Sequence, residues 1–200
     1  PGEVAMARRI FKDAIDYGVV KVFKEDFLPF GWQDDWTTVT PNGNLYCPIN
    51  HYMDDFSALE PDDAWKSRLF MHEMVHVWQY NLGYEMMVIG GPLQGIEKTE
   101  NVLGRSVYSY EIRRTHHIDR VSLSGQIART WTEVPHLSSF NMEQQGDLIS
   151  DYYCLVSGRP GLMSESGKAV RDATLFHDVL AGFMAAPARP EWLPYRWLGQ

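Results

Sequence analysis

Apolar positions recur at helical spacing across residues 3–17, where Val4, Ala7, Ile10, Phe11, Ala14 and Ile15 share a face, and Gly18 follows as a stop. The period then changes. VVKVF (19–23) is a short β-branched run, and WTTVT (36–40) and LYC (45–47) flank Pro41-Asn-Gly-Asn44. Asn-Gly between two β-prone runs predicts a hairpin, so residues 1–59 are expected to hold a helix and a small sheet. Glu60-Pro-Asp-Asp63 reads as a helix start, with proline in the first turn and acids at the positive end of the dipole. No Pro or Gly interrupts the chain between Ala64 and Gly83, which predicts one long helix over 60–82. After Gly90-Gly-Pro-Leu-Gln-Gly95 comes a variable middle segment, 91–140. Its less periodic part, 96–137, reads as loops with one or two short elements. Residues 141–157 are helical again, with Met142, Ile149, Tyr152, Tyr153 and Val156 in a stripe that Gly158-Arg-Pro160 ends. A last helix is expected over roughly 166–185 within the segment 160–200, then a Pro- and Trp-rich tail from 187 that packs across the surface. The expected fold class is α+β: one mainly helical domain over 1–200, with a small β-sheet or hairpin ahead of the long helix.

Composition sharpens that picture. With 44% hydrophobic and 13% aromatic residues, including seven Trp and ten Tyr, the chain can build a core carried by large rings. The net charge of −8 argues against a nucleic-acid partner, which requires a basic face; Arg113-Arg114 is the densest basic pair. No apolar run approaches the ~20 residues that span a bilayer. The N-terminal PGEVAMARRIFKDAIDY is charged and amphipathic, unlike a signal peptide, and Pro1 in place of an initiator Met is expected of a domain from a longer chain. Cys47 and Cys154 are expected to be buried free thiols; neither has a Cys or His neighbour at ligand spacing.

The chemistry concentrates in FMHEMVHVWQY (70–80). On a helix, His72 and His76 lie one turn apart on one face and can offer imidazole nitrogens to a single ion. Glu73 points beside that face, near enough to serve as general base and too offset to be a good ligand, which is the logic of H-E-x-x-H. Zn²⁺ suits imidazole and carboxylate ligands with one position left open. The third ligand has several candidates: His116, His117, Asp119, Glu133, His136, Glu143, Asp147 and Asp151. Glu143 is favoured because its helix can pack on the first. Asp147, four positions on, can accept the distal N–H of a liganding histidine, and Gln79 can act in the same way. His136, after Pro135, is the rival ligand or an oxyanion donor; Tyr84, Tyr108, Tyr110 and Tyr152 are further donor candidates.

MHEMVHVWQ (71–79) and NMEQQGDLISDYY (141–153), with TPNGNLY (40–46) upstream, resemble the zinc-metallopeptidase domains attached to bacterial VgrG spike proteins and Rhs-type toxins. The likeness covers about 1–100 and 138–160 and lapses between Gly91 and Phe140. It implies a gluzincin-like, zincin-type fold, Zn²⁺ held by His72, His76 and Glu143, and Glu73 as base. It further implies an antibacterial effector delivered by type VI secretion to the periplasm of a target cell. A protein or peptide would be the substrate, with a secretion-spike trimer and a cognate immunity protein as partners. Two other readings stand beside it: a zinc-dependent amide hydrolase acting on the cell wall, and a non-catalytic, zinc-stabilised interaction module of a spike.

Overall fold

A computed structural model describes residues 1–27, 37–58, 61–85, 106–121 and 127–195, without the side chains of 61, 116–121 and 127–132. Helix α1 (Gly2–Phe11) turns Met6, Ala7, Ile10 and Phe11 into the core. It stops at Phe11, short of the expected residue 17, because Lys12 takes a left-handed backbone (φ 52°) and its ammonium reaches Ala185 O at 3.1 Å. Ile15 is buried all the same.

The small sheet differs from the expected hairpin. Strand β1 (Val22–Phe23) pairs in parallel with β2 (Leu45–Tyr46), and Val39 bridges Tyr46 antiparallel through reciprocal bonds of 3.2 and 2.9 Å. The turn at 41–44 is therefore present, but its ladder is one bridge long and β2 runs between two partners; Trp36 lies outside the described residues. Gly43, at φ 78°, abuts Tyr80, and a Cβ there would stand 2.5 Å from that ring's Cδ1.

A short turn, Pro61–Asp63, leads into α2 (Ala64–Asn81), where every residue from Phe70 to Gln79 is buried. This stretch is enclosed on all sides, whereas Trp65 and Tyr80 at the two ends of the helix are exposed. Trp78 shows how it is held: its ring stacks on Phe11 at 6.4 Å, meets Phe183 edge-on at 5.1 Å, and donates Nε1–H to Pro187 O at 2.7 Å.

In the described part of the middle segment the elements expected among loops are two paired strands. Strands β3 (Thr115–Val121) and β4 (Ile127–Glu133) pair antiparallel from Thr115↔Glu133 to Val121↔Ile127, with a register irregularity near Arg120. Helix α3 (Met142–Val156) begins with a capping box, Asn141 Oδ1 accepting from Gln144 N at 2.9 Å and Gln144 Oε1 accepting from Asn141 N at 3.0 Å. The single helix expected over 166–185 is two, α4 (Glu165–Ala169) and α5 (Thr174–Ala185). Val170 is extended between them, and Asp172 accepts from Thr174 N at 3.0 Å. The tail folds back through Pro190–Trp192, where Trp192 is buried. Cys47 and Cys154 are free and buried, and burial pushes their thiols up to about 12 and about 11. Among the described residues no helix is long and apolar enough to cross a membrane.

Because Trp78 fills the junction of α1, α2 and α5, Trp78→Ala should cost about 3–5 kcal/mol, read by chemical denaturation as a lower midpoint with an unchanged slope.

Candidate metal centre

Three α2 residues at four-residue intervals, Arg68, His72 and His76, face three on α3 at the same interval, Asp151, Asp147 and Glu143. The helices run antiparallel, so the two series interlock. Arg68 donates Nε–H to Asp151 at 2.8 Å, His72 Nδ1 meets Asp147 Oδ1 at 2.9 Å, and His76 Nε2 lies 3.2 Å from Glu143 Oε2. Glu143 Oε2 also lies 3.1 Å from His72 Nε2, and the two Nε2 atoms are 3.2 Å apart. The helices can close to this distance because α3 has glycine opposite His72. A Cβ on Gly146 would fall 2.5–2.8 Å from three atoms of that imidazole.

The hydrogen-bond partners fix where the protons are. Asp147 can only accept, so His72 Nδ1 carries the hydrogen. Gln79 donates Nε2–H to Gln145 Oε1 at 3.0 Å and to Met142 O at 3.3 Å, which turns its Oε1 toward His76 Nδ1 at 2.8 Å and makes that nitrogen a donor too. In their neutral forms both Nε2 atoms therefore present bare lone pairs to each other and to the Glu143 carboxylate. Mutual separations of 3.1–3.2 Å match the ~3.3 Å edge of a tetrahedron whose bonds are ~2.0 Å, so the donor set fits a zinc ion.

Without a cation, protonation relieves this convergence. Burial disfavours the His72 imidazolium, but Asp147 and Glu143 outweigh it and push the ring up to about 10. His76 moves the same way: burial is again opposed, here chiefly by Glu143. Burial would raise Glu143 and Asp147; the imidazoles, joined at Asp147 by Arg68, hold both below the usual carboxylate range. Arg68 Nη2 lies 2.8 Å from Asp147 Oδ1, an ion-pair approach off the line of its N–H bonds. Glu73 is the exception. Burial raises it above the usual range against the pull of His76, His72 and Thr40, whose hydroxyl donates to Glu73 Oε2 at 2.7 Å.

Of the residues singled out from sequence, His72, His76 and Glu143 form the cluster of convergent ligand atoms, with Glu73, Asp147 and Gln79 against it. Asp151 is buried behind it, accepting from Arg68, Tyr110 and Ser164. His136 stands elsewhere: exposed, it caps the turn Leu137–Ser139, its Nδ1 is 2.7 Å from Ser138 Oγ, and its ring stacks on Trp192 at 5.1 Å. Glu133 is exposed and outside the cluster. The side chains of His116, His117 and Asp119 lie outside the described residues. Among the tyrosines, Tyr110 is bound to Asp151 at 2.7 Å, whereas the half-buried Tyr108 ring lies 6.0 Å from that of His72. Sequence reasoning missed Thr40, Arg68 and Gly146. Only Gly146 carried a signal, as an isolated glycine inside a helical pattern, which marks a close approach.

No protein-family model matches the chain. The similarity found is to effector domains of type VI secretion spike proteins. The chain is similar to the type VI secretion system spike protein VgrG2b of Pseudomonas aeruginosa, 28% identical over 152 residues, covering 76% of this chain and 12% of that protein. The chain thus spans a small part of the curated relative it matches. Its fold is similar to the solved effector domain of Pseudomonas aeruginosa VgrG2b, with a TM-score of 0.62, 27% identity, and coverage of 90% of this chain and 79% of that one.

Two outcomes follow from the cluster. Gly146→Ala, which gains about 1 kcal/mol of helix propensity, should nonetheless lower metal affinity on the order of 10- to 100-fold in a chelator competition, because the new methyl displaces His72. In the chelator-treated protein, His72 is raised from 6.5 to about 10, so its contribution to stability is full below 6.5 and lost as pH rises toward 10. Glu143 and Asp147 are lowered, so theirs is present above the ordinary carboxylate range and lost as pH falls through their folded values. Thermal unfolding without metal should therefore be best in mildly acidic solution, and added zinc should shift the optimum upward.

Proposed function

We propose that the chain is a zinc-dependent metallopeptidase of gluzincin-like, zincin-type construction, acting as an antibacterial effector delivered by type VI secretion. One observation carries the catalytic part: two imidazoles and a carboxylate converge with bare lone pairs while a second carboxylate, Glu73, stands on the same helical turn without joining them. His72, His76 and Glu143 would hold the metal. Bound there, zinc would supply Lewis acidity, lowering the pKa of a coordinated water from about 15.7 toward 7. Asp147 and Gln79 fix the imidazole tautomers, and Glu73, raised by burial, is suited to take a proton and pass it to a leaving amine.

A peptide substrate is favoured by the strand edge beside Glu73. Val39 directs its N–H and C=O to Tyr46, so by strand alternation those of Thr38 and Thr40 face the opposite way. Among the described residues no backbone group pairs with them. An extended peptide can add there by main-chain hydrogen bonding. The likeness to VgrG2b and its effector domain supports the delivery route and association with a secretion spike; action in a target cell's periplasm, a spike trimer and a cognate immunity protein belong to the same proposal. The catalytic reading is favoured over a zinc-stapled spike module by Glu73, a buried carboxylate on the same turn that stands beside the three converging groups.

Glu73→Gln should keep stoichiometric zinc and lose 10²- to 10⁴-fold or more in kcat, roughly what a general base supplies. Glu143→Ala should lose the metal itself. Zinc content and turnover on protein and peptidoglycan substrates, measured together, check both; cleavage of peptidoglycan alone would favour a cell-wall amidase, and full turnover by zinc-loaded Glu73→Gln would remove Glu73 from its role.

A further inference from the structure

The metallopeptidase reading gives Glu73 a proton to carry but leaves open what aims it. Glu73 sits on the enclosed stretch of α2, 4% exposed, and its hydrogen bond comes from outside that helix: Thr40 Oγ1–H to Oε2 at 2.7 Å. The histidines beside it are occupied elsewhere, His72 with Asp147 and Glu143, His76 with Gln79 and Glu143. Among the described residues the carboxylate is thus oriented by one hydroxyl, and that hydroxyl belongs to the strand edge rather than to the helical frame.

Thr40 is itself well fixed on the inner side. The preceding residue, Val39, is bonded both ways to Tyr46 at 3.2 and 2.9 Å, and β2 is anchored in turn on β1. Beyond Thr40 the turn is tied by Asn42, whose Oδ1 accepts from Asn44 N at 3.3 Å, and by Gly43 against Tyr80 one helical stretch past Glu73. On the outer side the main chain of Thr40 is the part that no backbone group pairs among the described residues, although the residue is only 5% exposed. An N–H and C=O on a strand edge are the groups that main-chain pairing of an extended peptide would engage. One residue therefore presents its backbone to the approaching chain and its side chain to the base.

We propose that Thr40 is a positioning residue that couples docking of an extended peptide to the orientation of Glu73: main-chain pairing of substrate with the 38–40 edge fixes the Thr40 backbone, and its hydroxyl then holds Oε2 so that Oε1 faces the reacting water. This rests on the metallopeptidase reading of the same site. Thr40 touches the base and not the reacting atoms, so it acts through Glu73.

The test uses Thr40→Val, which keeps the β-branched shape and backbone and removes the hydroxyl, with Thr40→Ser as the conservative control. In the zinc-loaded protein, Thr40→Val should lower kcat on the order of 10- to 100-fold, with KM within about threefold and zinc content unchanged. Thr40→Ser should restore most of the loss, and Thr40→Val on the Glu73→Gln background should add none. An equal loss in both Thr40 variants, a KM effect alone, or full additivity with Glu73→Gln would overturn the proposal. If the wild-type chain cleaves no peptide, the metallopeptidase reading fails separately. An unfolding double-mutant cycle between Thr40→Val and Glu73→Ala, each of which removes one partner of the hydrogen bond, then decides the contact: measurable coupling supports it, and zero coupling overturns it.

Discussion

The structure depends on an interlock between two antiparallel helices. Arg68, His72 and His76 descend one side of α2 in steps of one turn, and Asp151, Asp147 and Glu143 climb α3 to meet them. Every member is buried or nearly so, which would be costly for isolated charges. The arrangement is tolerable because each group has more than one partner: Asp147 serves both His72 and Arg68, while Asp151 accepts from Arg68, Tyr110 and the Ser164 backbone. Breaking one contact therefore strands a charge in low dielectric rather than removing a weak surface pair.

The same interlock is paired differently at its two ends. Toward Arg68 the pairing is complete, cation against anion. Toward His76 it is not: the partners there are imidazoles whose Nδ1 atoms are committed to Asp147 and Gln79, leaving three acceptors facing one another. A divalent ion would complete the pattern as Arg68 does two turns earlier. Glycine at 146 allows the approach, and aromatic packing around Trp78 holds α2 against α1 and α5.

Much of this was legible in the sequence, for a physical reason. Side chains four apart share a helical face, so His72 and His76 announced a site, and Glu143 and Asp147, also four apart, announced its complement. The proline and acids at 60–63 anticipated α2, which begins just after their turn, and the Gly158-Arg-Pro160 stop anticipated the end of α3. What was not legible depends on contacts distant in sequence. The end of α1 is set by the left-handed Lys12 reaching Ala185, and the parallel β1–β2 pairing by a partner more than twenty residues away; the break before Thr174 is by contrast local, Asp172 accepting from the amide two residues on. Thr40 and Arg68 are ordinary in sequence and acquire their significance only from what they meet. His136, conspicuous after Pro135, proved to be capping a turn.

The central claim is that His72, His76 and Glu143 hold one zinc ion with a position left for water. X-ray absorption at the zinc edge of the stoichiometrically loaded protein tests it most directly. The account predicts two imidazole nitrogens and carboxylate oxygen at ~2.0–2.2 Å, plus one light-atom ligand that a small competing anion displaces. A sulfur scatterer, a fourth protein ligand that nothing displaces, or an unchanged spectrum after His76→Ala would contradict it.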